Sequence, residues 1–104
     1  MDTTPLSNEA RALKQKVGEA SAFLKKLSNP DRLLVVCALV EGERSVRDLE
    51  DVLGIRQPGL SQQLAELREA GLIAGRKDGK QVFYRLADPR IESFIHTMHD
   101  LFCK

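Results

Sequence analysis

Apolar residues recur at helical spacing near the start of the chain. Five of them are separated by four, three, four and three positions: Leu13, Val17, Ala20, Leu24 and Leu27. This spacing places them on one face of a long helix that begins near Asn8. We expect a heptad-like seam along that helix.

Another amphipathic segment lies at the C-terminal end of the sequence. It follows Asp88-Pro89, which is typical of an N-cap and a proline in the first helical turn. Its apolar surface comes from six residues: Ile91, Phe94, Ile95, Met98, Leu101 and Phe102. A domain of this size has little room to bury both terminal helices, so we expect them to pair with their symmetry mates in a homodimer.

Between these helices, two short amphipathic segments are separated by a turn. Ser45 is a typical helix cap, apolar residues follow it at helical spacing, and Gly54 ends the segment. The second segment has Pro58 where a first helical turn tolerates it and Gly71 where a helix would stop. The pattern predicts a helix-turn-helix.

The residues after Gly71 change to the composition of strands. Two β-rich segments, 72–77 and 81–86, flank Asp78-Gly79, which is a strong hairpin signal. The hairpin would form a wing beside the second helix of the helix-turn-helix. The predicted fold is mainly α with a small β-hairpin: a homodimeric winged helix-turn-helix with the element order α-α-α-α-β-β-α.

Length and composition fit one small domain. The chain has 104 residues, of which 42% are hydrophobic and 30% charged. We expect a flexible N-terminal tail over residues 1–8 and a single DNA-binding and sensor domain over residues 9–104. The first residues lack the pattern of a signal peptide, and no apolar run reaches the roughly 18 residues of a membrane span. We expect a cytoplasmic protein without a membrane partner.

The net charge of +1 hides an uneven distribution of charge. From Arg56 to Arg85 there are six cations and three carboxylates, which leave a local charge of +3. From Glu41 to Asp51 there are two cations and five carboxylates, which leave −3. This dipolar arrangement provides a basic face for DNA without general affinity for polyanions.

The polar side of the second helix and the wing supply the candidate DNA contacts. Amide and hydroxyl groups can bond to base edges, whereas cations bind phosphates. The candidates are Arg56, Gln57, Gly59, Ser61, Gln62, Gln63, Arg68, Arg76, Lys77 and Lys80. A two-fold dimer would bind double-stranded operator DNA with an inverted repeat.

The sequence from the second helix to the wing resembles the ArsR/SmtB family of bacterial repressors. The resemblance rests on Leu60-Ser61-Gln62-Gln63-Leu64, Leu67-Arg68, Ala70-Gly71-Leu72-Ile73, Gly79 and Tyr84-Arg85-Leu86. It implies a homodimeric repressor that leaves its operator when an inducer binds. Many members have a His where this chain has Gln63, so the resemblance assigns no base contact at this position.

Two cysteines are the first candidates for sensing an inducer. Cys37 lies in a segment that is apolar all round, which predicts a helix buried on most sides, and Cys103 is the penultimate residue. Each alone is most simply a small apolar residue or an incidental thiol. On two helices that pack together, however, the pair can form a reversible bridge.

The chain also resembles the persulfide-responsive branch of that family, of the SqrR/BigR type. Three features are shared: one cysteine in the helix before the helix-turn-helix, one cysteine in the final helix, and the sequence Arg56-Gln57-Pro58. The resemblance implies that reactive sulfur species link Cys37 and Cys103 through added sulfur, after which the repressor releases its operator. A polysulfide spans more distance than the roughly 2 Å bond of a disulfide, so it can join two cysteines that lie too far apart for easy oxidation to a disulfide.

A metal sensor is the main alternative. Glu92, His96, His99 and Cys103 fall on one helical face and offer zinc or nickel ligands. Zinc-sensing relatives complete their site upstream, where this chain has Phe83 and Arg85, which cannot ligate. We therefore expect no metal and no cofactor, with His96 and His99 as polar residues beside the dimer seam.

Two further classes of function stay open. A thiol-dependent enzyme would need a nucleophilic cysteine with an organised base, and the sequence shows neither. A winged helix that binds a protein and not DNA would lack salt-sensitive binding to a duplex. We expect a regulator and not an enzyme.

Overall fold

The computed structural model describes residues 3–103, and this range forms five helices and three strands. The helices are α1 (Asn8–Leu27), α2 (Pro30–Val40), α3 (Val46–Leu53), α4 (Gly59–Glu69) and α5 (Arg90–Phe102). The strands are β1 (Arg44–Ser45), β2 (Ile73–Asp78) and β3 (Gln81–Leu86). The winged helix-turn-helix is confirmed, with one strand more than predicted.

The helix boundaries follow the predicted caps closely. Ser45 Oγ accepts a hydrogen bond from the Asp48 backbone N–H at 3.0 Å. Gly54 ends α3 with a φ of 69°, a left-handed conformation that costs glycine little. Pro58 occupies the cap position before α4 and not its first turn. Pro89 likewise stands at the cap position before α5, where the sequence predicted a first-turn residue.

The sheet is antiparallel, with β3 in the centre and the order β1-β3-β2. Strand β2 is shifted by one residue from the predicted 72–77, because Asp78 still pairs with Gln81 and so belongs to the ladder. The hairpin loop is therefore Gly79-Lys80, with Gly79 at a φ of 63°. Strand β1 is too short for the sequence to show a strand pattern.

One hydrophobic core unites these elements. Its fully buried side chains are Leu49, Leu60, Leu67, Ile91, Val35 and Val36. Helix α2 packs against each of the other helices, so it is the centre of the domain. Helix α1 contributes only Leu27 to the buried core, and α5 contributes Ile91 and Ile95.

Most of α1 extends along the surface of the domain. The helix has 20 residues and is therefore about 30 Å long, in a molecule whose longest dimension is 64 Å. Residues 1 and 2 of the predicted tail lie outside the described residues, as does Lys104 of the predicted domain. Ser7 caps α1, and Asn8 is its first helical residue, as the apolar spacing predicted. Within residues 3–103, no helix has the length and hydropathy of a membrane span.

Candidate nucleic-acid interface and cysteine pair

The first turn of α4 presents polar groups at the surface. Ser61 and Gln62 are exposed, whereas Leu60 and Leu64 on the other side of the helix are buried. Gln57 holds this turn in place: its Oε1 accepts from the Ser61 N–H at 2.9 Å, and its Nε2 donates to Glu50 Oε1 at 3.3 Å. The Gln57 side chain therefore joins α3 to the start of α4.

Gln63 lies on the side of α4 that faces α2 and is half-buried. Its Oε1 accepts from Arg32 Nη1 at 2.9 Å, and Arg32 Nε donates to the Lys26 carbonyl oxygen at 2.6 Å. Lys26 in turn forms an ion pair with Glu66 at 2.6 Å, and the bonded lysine lowers the pKa of Glu66. These bonds attach α4 to the corner between α1 and α2.

A groove of about 650 Å³ separates α4 from the wing. Three of the predicted DNA-binding residues line it, namely Ser61, Arg68 and Lys80. Arg47 and Gln81, which the sequence analysis did not select, line it as well. Arg47 was hidden by the acidic composition of its own segment, and Gln81 by its position next to a turn.

The cations of this region differ in whether they are paired. Arg56, Arg68, Lys77 and Lys80 are exposed and form no ion pair with any residue in the described range 3–103. Arg76 is different, because Glu43 binds its guanidinium with both carboxylate oxygens, at 3.0 and 2.7 Å. The structure therefore separates Arg76 from the other wing cations.

The acidic segment before the wing is also organised by an arginine. Arg44 donates to Asp48 at 2.6 Å and to Glu41 at 2.8 Å, and these two bonds raise the pKa of Arg44. Two of the five carboxylates between Glu41 and Asp51 are thus paired with Arg44, and a third, Glu43, is paired with Arg76 of the wing. The charge difference between the two segments is partly neutralised within the fold.

The predicted burial of Cys37 is wrong. The sequence placed it in a helix buried on most sides, but Cys37 is exposed. Helix α2 turns Val35, Val36 and Leu39 into the core, and its opposite face remains at the surface because no described element covers it. Cys37 lines a shallow depression there together with Leu34 and Val52.

Cys103 directly follows α5 and is also exposed. Its backbone N–H donates to the His99 carbonyl oxygen at 2.9 Å, which continues the last helical turn. Both thiols are free, and the helices that carry or precede them, α2 and α5, pack against each other. The packing of α2 against α5 is as expected, and helix packing alone does not bring the two thiols together.

The alternative metal ligands do not gather into a site. In the described part of the chain, no three His, Cys, Asp or Glu side chains lie close enough together to hold a metal ion. Glu92 and Cys103 are eleven positions apart, or roughly 16 Å along the helix axis. His96 Nε2 lies 3.9 Å from Glu92 Oε1, at the surface. Sharing a helical face does not bring these four groups together.

Comparisons with known proteins agree with this fold. The model of the arsR family of bacterial regulatory proteins matches residues 29–74. The biofilm growth-associated repressor of Xylella fastidiosa is 45% identical over 91 residues, which cover 88% of this chain and 80% of that protein.

Solved structures give the same assignment. The crystal structure of the transcriptional repressor BigR from Xylella fastidiosa superposes with a TM-score of 0.89 at 42% identity, and covers 95% of this chain and 99% of that chain. A homodimeric winged helix-turn-helix DNA-binding domain from Mycobacterium bovis gives a TM-score of 0.68 at 25% identity, with 95% and 89% covered. These relatives are regulators and not enzymes. The chain therefore belongs to the ArsR family of bacterial regulatory proteins, and it is a winged helix-turn-helix transcriptional repressor.

Proposed function

We propose that this repressor binds an inverted-repeat operator as a homodimer, through the first turn of α4 and the wing. The observation that carries the proposal is the exposure of Ser61 and Gln62 next to a groove with unpaired cations. Hydroxyl and amide groups suit base edges in a major groove, and lysine and arginine suit phosphates. The two kinds of contact lie on adjacent elements.

The apolar surfaces of α1 and α5 support the dimer. Leu13 and Val17 are 60% and 56% exposed, and Leu101 and Phe102 are 66% and 78% exposed. Apolar patches of this kind usually mark an interface. The relative from Mycobacterium bovis is described as homodimeric. A second copy of the chain that covers these faces would place two α4 helices for two half-sites.

Among the candidate contacts, the structure favours different roles. We assign Ser61 and Gln62 to bases, and Arg56, Arg68, Lys77 and Lys80 to phosphates. Gln57 and Gln63 use their carbonyl oxygens inside the protein, and Gln57 also donates one amide N–H to Glu50, so the remaining amide N–H groups are what they offer to DNA. Gly59 permits close approach of the backbone. Arg47 and Gln81 join the set because they line the same groove.

The DNA proposal is tested by selecting duplexes from a randomised library with the reduced protein. We expect an inverted repeat, and an affinity whose logarithm falls linearly with the logarithm of the salt concentration. Binding that does not depend on salt, or the absence of any selected duplex, would favour a winged helix that binds a protein.

We further propose that reactive sulfur species are the inducer and act by linking Cys37 to Cys103. Both thiols are exposed, so a small sulfur donor can reach each of them. An organic trisulfide can supply the bridging sulfur: one cysteine thiolate bonds to its central sulfur and displaces one thiol, and the second thiolate bonds to the same sulfur and displaces the other thiol. The two cysteines are oxidised, and the trisulfide is reduced to two thiols.

Intact mass spectrometry tests this proposal after separate treatment with a trisulfide, a disulfide and zinc, with operator binding measured on each sample. We expect the trisulfide to add one sulfur atom and remove two hydrogen atoms per protomer, with loss of operator binding. Release by zinc at submicromolar free metal would support a metal sensor, and modification without release would exclude the bridge as the switch.

The histidines provide a specific test of the metal alternative. The double variant His96→Ala, His99→Ala removes the two best candidate ligands but leaves both cysteines in place. We expect it to respond to the sulfur donor as the unmodified protein does. Loss of the response would assign a sensing role to His96 or His99.

A further inference from the structure

We propose that Arg76 is a positioning residue of the wing and not a phosphate ligand: with Glu43, it clamps the hairpin to the segment before β1. This inference rests on the proposed operator binding and assigns a different task to one wing cation. It begins with the bond geometry of the Arg76 guanidinium.

The Arg76 guanidinium is contacted along one edge by a carboxylate and on its planar face by an aromatic ring. Nε and Nη2 donate to the two carboxylate oxygens of Glu43 at 3.0 and 2.7 Å. The central carbon lies 4.8 Å from the centre of the Phe83 ring. Nη1 is 3.7 Å from Asp78 Oδ2. A two-pronged arginine–carboxylate pair combined with ring stacking fixes both the position and the tilt of a guanidinium.

The register of the sheet places Arg76 on the side of the wing away from the groove. Arg76 pairs with Phe83, and Lys77 pairs with Val82. Because successive residues of a strand point to opposite faces, Arg76 and Lys77 lie on different faces. Val82 and Tyr84, which share one face of β3, both line the groove beside α4, so Lys77 belongs to the face that borders the groove, and Arg76 to the other.

Glu43 is well placed to hold the wing. It precedes β1, which pairs with β3 through Arg44 and Tyr84, whereas Arg76 belongs to β2 on the far side of β3. The ion pair therefore crosses the central strand and connects both outer parts of the sheet. Only two residues of β1 pair with β3, so backbone bonds alone give this edge little support. The bonded arginine lowers the pKa of Glu43, which keeps the carboxylate charged.

Charge also separates the two roles. Glu43 neutralises Arg76, and the neighbouring Asp78 adds another negative charge. A phosphate on the Nε edge would have to displace Glu43, and on the Nη1 side it would meet the Asp78 carboxylate at 3.7 Å. Lys77 and Lys80 need no such exchange, since they form no ion pair within the described residues.

The test compares Arg76→Gln and Glu43→Gln with two controls of matched charge, Lys77→Gln and Asp51→Asn. Two quantities are measured: hydrogen exchange of the wing amides in the free protein, and the salt dependence of binding to selected duplexes. If Arg76 positions the wing, Arg76→Gln and Glu43→Gln both speed exchange over residues 77–81, and neither control does. Both should weaken duplex binding by about fivefold, the size expected for one ion pair with stacking.

The salt slope and the double variant complete the comparison. Arg76→Gln should leave the slope unchanged, whereas Lys77→Gln should reduce it by about 1 per protomer. Arg76→Gln combined with Glu43→Gln should match either single variant, because the two residues act as one unit.

The opposite results would overturn the proposal. If Arg76→Gln reduces the slope as Lys77→Gln does, and Glu43→Gln tightens binding more than Asp51→Asn, Arg76 is a phosphate ligand that Glu43 restrains. Unchanged exchange in both variants would also exclude the clamp. Because exchange is measured without DNA, failure of the clamp is distinguishable from failure of operator binding.

Discussion

At the scale of single residues, the interface uses side chains in two ways. The side-chain oxygen of Gln57 accepts a hydrogen bond from the Ser61 N–H, and that of Gln63 accepts one from Arg32. These two bonds hold α4 in place. Lys77 and Lys80 have no such partner in the described chain. The proposed contacts to DNA therefore belong to residues that the folded protein leaves unengaged.

Replacing Lys80 by Ala tests this division of roles. Lys80 lies in the hairpin loop and lines the groove, so its loss should weaken binding to all duplex sequences and reduce the salt slope by about 1 per protomer. Gln62→Ala is the matched change on α4, and it should alter the preferred bases without a comparable change in slope. Titrations at several salt concentrations measure both. A Lys80→Ala protein with an unchanged slope would remove Lys80 from the phosphate contacts.

The sequence predicted which residues lie at the surface better than it predicted which side chains pair with each other. The polar side of the second helix was expected at the surface, and Ser61 and Gln62 are exposed there, whereas Gln63 is half-buried. The pairing of Arg76 with Glu43 joins residues 33 positions apart, and such a pair follows from the sheet topology, which local patterns do not contain. Cys37 was misplaced for a similar reason: an all-apolar helix does not reveal which of its faces the tertiary fold leaves uncovered.

At the scale of elements, the start of α5 depends on Asp88. Its Oδ1 accepts from the Arg90 backbone N–H at 2.9 Å, and its carboxylate binds the Arg90 guanidinium at 2.6 to 3.1 Å. Arg90 also lies 4.9 Å from the centre of the Phe23 ring in α1. One carboxylate thus stabilises the helix start and the contact between α5 and α1.

Asp88→Asn should destabilise the fold by about 1 kcal/mol, the usual size of the loss when a carboxylate that binds a helix start is neutralised. The bonds to Arg90 lower the pKa of Asp88. Its stabilisation is therefore complete above the unfolded value of about 4 and is lost as the pH falls through the lower folded value. Chemical unfolding at pH 7 and at pH 3 measures this effect. A difference between variant and parent that stays the same at both pH values would contradict the ionic role.

The elements themselves were largely predictable from sequence. Ser45, Gly54, Gly71 and Gly79 mark boundaries because capping and positive φ angles are local requirements. Strand β1 was missed because its two residues carry no alternation, and it exists through pairing with Phe83 and Tyr84 of β3. The one-residue shift of β2 has the same origin in pairing.

At the scale of the whole molecule, α1 and α5 leave apolar surface that the single chain does not cover. Leu27, at the end of the predicted seam, is buried in the core, whereas Leu13, Val17 and Leu24 are more than half exposed. The seam is therefore shared: one end of it completes the domain, and the rest is available to a second copy. Sequence spacing predicted the stripe, and only the packed structure shows which part of it the chain itself covers.

The double variant Leu13→Glu, Val17→Glu places charges on the exposed part of the seam. We expect a folded monomer with operator affinity reduced at least tenfold, since one protomer covers one half-site only. Lys14→Glu, Lys16→Glu is a control that changes charge on the same helix. Sedimentation velocity and duplex titration measure the two effects. A dimer that persists in the apolar-face variant would place the interface elsewhere.

The central claim is that Cys37 and Cys103 act as one switch that releases operator DNA. Its most direct test is operator binding by the parent protein, Cys37→Ser and Cys103→Ser, before and after treatment with a trisulfide, with intact masses recorded on the same samples. All three reduced proteins should bind alike. After treatment, only the parent should carry a sulfur bridge and leave the DNA, while each variant stays bound. A Cys37→Ser protein that is still released would contradict the account, because release would then need no bridge.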